Sequence, residues 1–96
     1  MGMDLIAKNG TDSLHFNWSG WRAVCEFVEK AGVDVSEFAG MNDGDLISKE
    51  TCVEVAKAIL TNSTKYNEMF AGDYYGPNPA SEHSEIWKRS EGFEQF

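Results

Sequence analysis

The segment from Phe16 to Val28 constrains the fold of this chain most, because it passes from a strand-like ending into an amphipathic helix. Apolar side chains follow Trp21 at intervals of three, four and seven positions, which is the spacing of one helical face. The members of this stripe are Trp21, Val24, Cys25 and Val28. The segment is therefore predicted to anchor a small core.

Residues that commonly begin and end helices flank the stripe. Ser19 is suited to the N-cap and Gly32 to the left-handed residue beyond a helix, which predicts a helix over residues 20–31. Trp18 precedes the cap, where it can pack on the first turn. We interpret Trp18 and Trp21 as core residues; the alternative is a platform on which a ligand stacks.

The N-terminal residues predict a β-hairpin spanning residues 3–16. Asn9-Gly10 tolerates the two positive φ angles of a type I′ turn and separates two alternating segments, residues 3–8 and 11–16. In that register Leu5 lies opposite Leu14 and Met3 opposite Phe16, and Ala7 shares their apolar face. The other face is mostly polar apart from Ile6, and Asp4 is expected to meet His15 there as a surface pair.

Three more helices are predicted after the first. Ser48 is expected to cap a helix that reaches about residue 61. Residues 62–64 separate this helix from a short one that has Tyr66 on its apolar face. Ser81 is expected to cap the last helix, and Gly92 to follow it so that Phe93 folds back on Trp87. The predicted fold is mainly α with an N-terminal β-hairpin, an α+β arrangement. It is one domain over residues 1–96 with about four helices, a hairpin at 3–16 and a helical part at 19–93.

Charge and cysteine content narrow the function classes. Sixteen acidic against eight basic residues give a formal net charge of −8, which disfavours direct binding to nucleic-acid phosphates. Cys25 and Cys52 lie on predicted apolar faces and are interpreted as reduced core residues. No signal-peptide pattern or membrane-length apolar run occurs in the sequence, so we expect a cytoplasmic protein that does not bind membranes.

No catalytic or metal-binding pattern is complete. Asp43-Gly44 with Glu50 matches the second half of an EF-hand calcium loop, but Ala39 and Met41 stand where its first carboxylates would be. Neither histidine, His15 or His83, has a local partner that suggests a catalytic or metal pair. We therefore expect no enzyme activity, no metal and no cofactor.

Two features are candidates for partner binding. The segment from Tyr74 to Pro79 places Tyr74 and Tyr75 on a turn stiffened by glycine and proline, which suits a recognition surface; the alternative is that the tyrosines fill a gap between helices. Glu82 and Glu85 follow near the positive end of the last helix. These four residues are the predicted partner-binding set.

Three short motifs resemble a family of small, acidic, uncharacterised bacterial and prophage proteins. They are Phe16-x-x-x-Gly20-Trp21, Asn42-Asp43-Gly44 leading into Ile47-Ser48, and Ser90-x-Gly92-Phe93-Glu94, with Glu91 standing where a second glycine is expected. The resemblance implies a compact, mainly helical intracellular domain in a phage context, and it carries no catalytic residue.

The functional hypothesis is a small acidic interaction module of phage or prophage type. It is expected to bind and inhibit or modulate a host protein with a basic surface, for example in a nucleic-acid-handling defence complex. The alternative is a small-molecule binding or sensing domain whose pocket is lined by Trp18 and Trp21 or by Tyr74 and Tyr75.

Overall fold

A computed structural model describes residues 2–38, 45–71 and 77–96 of the chain. These residues form four strands and four helices. In chain order they are β1 (Gly2–Ala7), β2 (Ser13–Asn17), α1 (Trp18–Lys30), β3 (Leu46–Ile47), α2 (Lys49–Thr61), α3 (Ser63–Met69), α4 (Pro79–Arg89) and β4 (Phe93–Gln95).

The strands form one antiparallel sheet in the order β2-β1-β4-β3, with one face buried against the helices. The prediction of a mainly α fold whose β structure is limited to the N-terminal hairpin is therefore wrong, because four strands form the sheet of this α+β fold. A lone hairpin would leave one edge of β1 unpaired, and β4 fills that edge. The backbone N–H of Asp4 donates to the Phe96 carbonyl at 2.9 Å, and the Phe96 N–H donates to the Asp4 carbonyl at 2.8 Å.

The hairpin register is confirmed, but its turn is not the predicted one. Met3 lies opposite Phe16 and Leu5 opposite Leu14, and all four are buried. Gly10 has a positive φ of 83°, whereas Asn9 does not, so the turn is not type I′. The Asn9 side chain instead accepts hydrogen bonds from the N–H groups of residues 11 and 12, which makes a wider loop.

Helix α1 begins earlier than predicted. Its N-cap is Asn17, whose side-chain oxygen accepts from the Gly20 N–H at 2.6 Å, so the prediction of Ser19 as the cap is wrong. Asn17 is also the last residue of β2, and its extended ψ of 168° lets the strand run directly into the helix.

The end of α1 is confirmed as a glycine-terminated motif. Gly32 has a φ of 94° and its N–H donates to the Glu29 carbonyl at 3.0 Å, while the Val33 N–H reaches back to Val28 at 3.0 Å. This pair of bonds is the Schellman arrangement.

Of the other helices, α2 has the predicted cap, α3 begins at Ser63 inside the predicted break at residues 62–64, and α4 has a different cap. Ser48 caps α2 by accepting from the Thr51 N–H at 3.3 Å, which confirms the prediction. Helix α4 is capped by Asn78 rather than by Ser81, because Pro79 occupies its first position and sets the start of the helix three residues early.

The connection from α4 to β4 uses two left-handed residues. Glu91 has a φ of 66° and Gly92 a φ of 114°. Phe93 then packs on Trp87 with ring centroids 4.8 Å apart and planes at 77°, which confirms the predicted contact. The contact forms because Phe93 enters the sheet, which the sequence analysis did not anticipate.

The core lies between the sheet and the helices and is rich in aromatic rings. Trp21 is buried and packs on Phe16 at 5.8 Å and Phe38 at 5.5 Å between ring centroids, as a core residue should. Trp18 is half-buried against the same core. Within the described residues, no helix has both the length and the apolar character needed to cross a membrane.

Both cysteines are free thiols, as predicted. Cys52 is buried and Cys25 is half-buried. Burial raises the pKa of the Cys25 thiol to about 12 and that of the Cys52 thiol to about 11, because a thiolate in apolar surroundings loses its hydration. Both side chains are therefore poor nucleophiles near neutral pH.

Candidate interaction surface

The structure brings together only part of the predicted partner-binding set. Glu82 and Glu85 are both exposed and lie one turn apart on α4, and neither forms an ion pair with another described residue. Tyr74 and Tyr75 lie outside the described residues. The pair on α4 is therefore a solvated acidic patch whose relation to the tyrosines is not described.

A second surface is the solvent-facing side of the sheet, here called the outer face. The strand register places Ile6 directly opposite Glu94 and Glu94 directly opposite Leu46, so these three side chains form a row across three strands. Phe96 extends the face beside Asp4. Ile6 is 49%, Leu46 51% and Phe96 41% exposed, and these are three of the four large apolar side chains most exposed in the described part of the chain.

The polar groups of the outer face include one bonded pair and one separate carboxylate. Asp4 Oδ1 lies 2.5 Å from His15 Nδ1, and both side chains are more than half exposed, which confirms the predicted surface pair. Glu94 is half-buried between its apolar neighbours and forms no ion pair among the described residues. The outer face thus combines exposed apolar side chains with polar ones, among them Lys8 and Ser13, and has the Glu94 carboxylate near its centre.

Sequence reasoning missed this surface because it arises only when β3 and β4 join the hairpin. Leu46 lies in a strand of two residues, and Phe96 directly follows a strand of three residues. Strands this short do not show an alternating pattern in the sequence. The one available signal was Ile6, an apolar residue on the otherwise polar side of the hairpin.

A groove of about 260 Å³ lies beside α1 and α3. Phe27 and Met69 contribute apolar surface, and the charged residues that line it are Lys30, Lys65 and Glu26. Neither Trp18 nor Trp21 lines this groove, so it differs from the predicted tryptophan pocket. A groove of this volume with charges of both signs has room for only a small molecule.

His83 is buried and acts as part of the core. Its Nδ1 lies 2.7 Å from the Tyr66 hydroxyl, and the rings of Phe16 and Phe70 pack around it at 5.7 and 5.8 Å. Burial lowers the pKa of His83 to about 4, because the charged imidazolium is poorly solvated there. The side chain is therefore neutral near pH 7 and joins α3 to α4.

Glu37 was also missed by the sequence analysis. Its carboxylate accepts hydrogen bonds from the Thr51 hydroxyl at 2.6 Å and from the Ser48 hydroxyl at 2.9 Å, while its carbonyl accepts from the Gln95 side chain at 2.8 Å. The hydrogen bond from Thr51, followed by those from Ser48, holds the pKa of Glu37 below its usual value. This residue ties the segment after α1 to α2 and β4.

Among the residues that the structure describes, no three or more histidine, cysteine, aspartate or glutamate side chains are grouped to hold an ion. Ala39, Met41 and Asp43 of the half EF-hand pattern lie outside the described residues, and Glu50 is exposed in the first turn of α2.

Comparison of the chain with protein-family models, curated proteins and solved structures finds no match in any of the three.

Proposed function

We propose that this protein is a small acidic interaction module of phage or prophage type, acting in the cytoplasm. It binds a host protein that has a basic surface, such as a component of a nucleic-acid-handling defence complex, and inhibits or modulates it. Recognition is through protein contacts and not through direct binding to nucleic acid.

The observation that supports this proposal is the excess of exposed carboxylates without ion pairs. The formal net charge is −8, and exposed pairs on two helices, Glu50 with Glu54 and Glu82 with Glu85, form no ion pair among the described residues. Such a charge distribution attracts a cationic surface over about 8–10 Å at physiological salt and accelerates encounter with it.

Charge reversal on two helices tests the proposal. Replacing both Glu82 and Glu85 with Lys adds two charge units at each position and changes the net charge from −8 to −4. The matched control replaces Glu50 and Glu54 in the same way. Tagged wild type and both variants are incubated with bacterial lysate at low salt, and recovered proteins are quantified by mass spectrometry.

The proposal predicts that both double variants recover less of a basic partner than the wild type. A larger loss from the α4 pair marks direct contact there, as the sequence analysis predicted, whereas equal losses mark long-range attraction alone. If recovery is unchanged in both variants, the proposed function is wrong, because a charge change of this size must alter electrostatically driven binding.

A second candidate function is the binding of a small molecule in the groove beside α1 and α3. The apolar side chains of Phe27 and Met69 favour it, and Glu26, Lys30 and Lys65 offer polar contacts there. A thermal-shift screen of metabolites and nucleotides tests it, since a ligand at 100 times its Kd adds about 2.7 kcal/mol of stability. A shift that persists unchanged in Lys30→Ala and Lys65→Ala variants would place the ligand elsewhere.

A further inference from the structure

The outer face of the sheet is the described surface that carries three exposed apolar side chains, which are Ile6, Leu46 and Phe96. Ile6, Glu94 and Leu46 are consecutive cross-strand neighbours, and directly opposed residues in an antiparallel sheet lie about 4.5–5.5 Å apart at Cβ. Leu60 is similarly exposed at 55%, but it lies on α2, away from the sheet. Apolar side chains grouped in this way are typical of protein-binding surfaces, whereas an isolated one is ordinary.

The Glu94 carboxylate near the centre of the outer face determines which kind of partner can bind there. Glu94 is half-buried between Ile6 and Leu46 and has no ion pair among the described residues, so a partner that covers the face also removes this carboxylate from water. An apolar occupant alone would leave the charge desolvated and uncompensated. A guanidinium or ammonium group opposite Glu94 supplies the missing hydrogen bonds and charge.

We infer that the outer face is the docking surface for a protein partner that presents an apolar patch around an arginine or lysine. This inference rests on the proposed function and specifies where the contact is made. The Glu82 and Glu85 pair then contributes long-range attraction, and the direct contact is made by Ile6, Leu46 and Glu94.

A second copy of this chain is a poor occupant of the same face. Each copy has a formal net charge of −8, and stacking two outer faces would also bring the Glu94 carboxylates of both copies to one interface. Like charges across an interface cost several kcal/mol, so the charge favours a cationic partner over self-association.

Site-specific photo-crosslinking in full-length protein tests the inference. A benzophenone amino acid is placed singly at positions 6 and 46 on the outer face, at position 60 as a control of similar exposure, and at position 82 on α4. Each tagged form is irradiated in bacterial lysate at low salt, and adducts are identified by mass spectrometry. The Glu94→Lys change is then added to the form labelled at position 6, with Glu54→Lys as the control of equal charge change.

We expect one partner to crosslink from positions 6 and 46 with at least about fivefold higher yield than from positions 60 and 82. Glu94→Lys is expected to lower that yield by about tenfold, whereas Glu54→Lys changes it by about twofold or less, because only Glu94 meets the partner's cation directly. Urea unfolding of the Glu94→Lys protein checks that the fold is retained.

Equal or higher yield from position 60 or 82 would overturn the inference while leaving the proposed function standing. An adduct between two copies of this chain would overturn the choice of occupant. If no position gives an adduct while a partner is still recovered in a salt-sensitive way, the outer face is not the docking surface. If no salt-sensitive partner is recovered either, the proposed function fails as well.

Discussion

Folding stability is predicted to fall as the pH drops from about 7.5 to about 5, and His83 is the cause. Its pKa is about 4 in the folded chain against 6.5 for an ordinary histidine. Between those values the unfolded chain binds a proton that the folded chain does not, so stability is present above the unfolded pKa and is lost as the pH falls. At about 1.4 kcal/mol per pKa unit the full effect is about 3 kcal/mol, of which about 2 kcal/mol is lost by about pH 5.

Urea unfolding followed by tryptophan fluorescence measures this loss. With an m value of about 1–2 kcal/mol per molar, the midpoint is expected to fall by about 1–2 M between the two pH values. The measurements stop at about pH 5. Hydrogen bonds hold the pKa values of Asp12 and Glu37 below their usual values, so these carboxylates stay ionised down to that pH.

The chain contains two histidines, which provides a matched control. His83→Gln removes the titrating group from the core and is expected to flatten the pH dependence, although it also lowers stability at every pH through lost packing. His15→Gln changes the exposed histidine and is expected to keep the wild-type slope. A wild-type midpoint that does not change with pH, or a slope that survives in His83→Gln, would show that His83 is not the cause of the pH dependence.

Three further predictions concern the connections and the thiols. Glu91→Gly is expected to stabilise the fold by about 0.5–1 kcal/mol in urea unfolding, because it relieves a left-handed residue and loses only the exposed 3.2 Å pair with Lys49; a net loss contradicts this. Glu37→Gln is expected to cost about 1–2 kcal/mol near pH 7, and this cost should shrink in acid, where the wild-type carboxylate is also neutral; a cost independent of pH contradicts the charge-assisted bonds. Iodoacetamide at about pH 8 is expected to label Cys25 and Cys52 slowly in the folded protein and quickly in urea, and rapid labelling of folded protein would contradict the raised pKa values.

Local patterns in the sequence were sufficient for the hairpin and for the approximate helix positions. The alternation of apolar and polar residues around Met3 and Leu5 specifies which side of the hairpin is buried. A register shift of one residue would turn these apolar side chains to solvent. Gly32 and Ser48 were assigned correctly because their roles depend only on neighbouring backbone groups.

Long-range pairing could not be predicted in the same way. β3 has two residues and β4 three, and their positions in the sheet depend on the open edge of β1, far away in the sequence. The caps at Asn17 and Asn78 were missed because several consecutive residues are acceptable caps, and the choice is made by the incoming strand in one case and by Pro79 in the other.

The candidate site was predicted only in part for the same reason. Glu82 and Glu85 were assigned to the last helix near its positive end, and both are exposed on α4. The outer face required knowing that Leu46, Glu94 and Ile6 become neighbours, which no local pattern reveals. Glu91 stands where the sequence analysis expected a glycine, and its φ of 66° is a conformation that favours glycine.

The most direct test of the proposed interaction is the salt dependence of partner recovery. Tagged wild-type protein is used to capture proteins from bacterial lysate over a series of salt concentrations, and each recovered protein is quantified by mass spectrometry. If the exposed carboxylates attract a basic partner, we expect one basic protein to be strongly enriched at low salt. It should be progressively lost as salt screens the carboxylates. Failure to enrich any protein, or enrichment that does not change with salt, would contradict it.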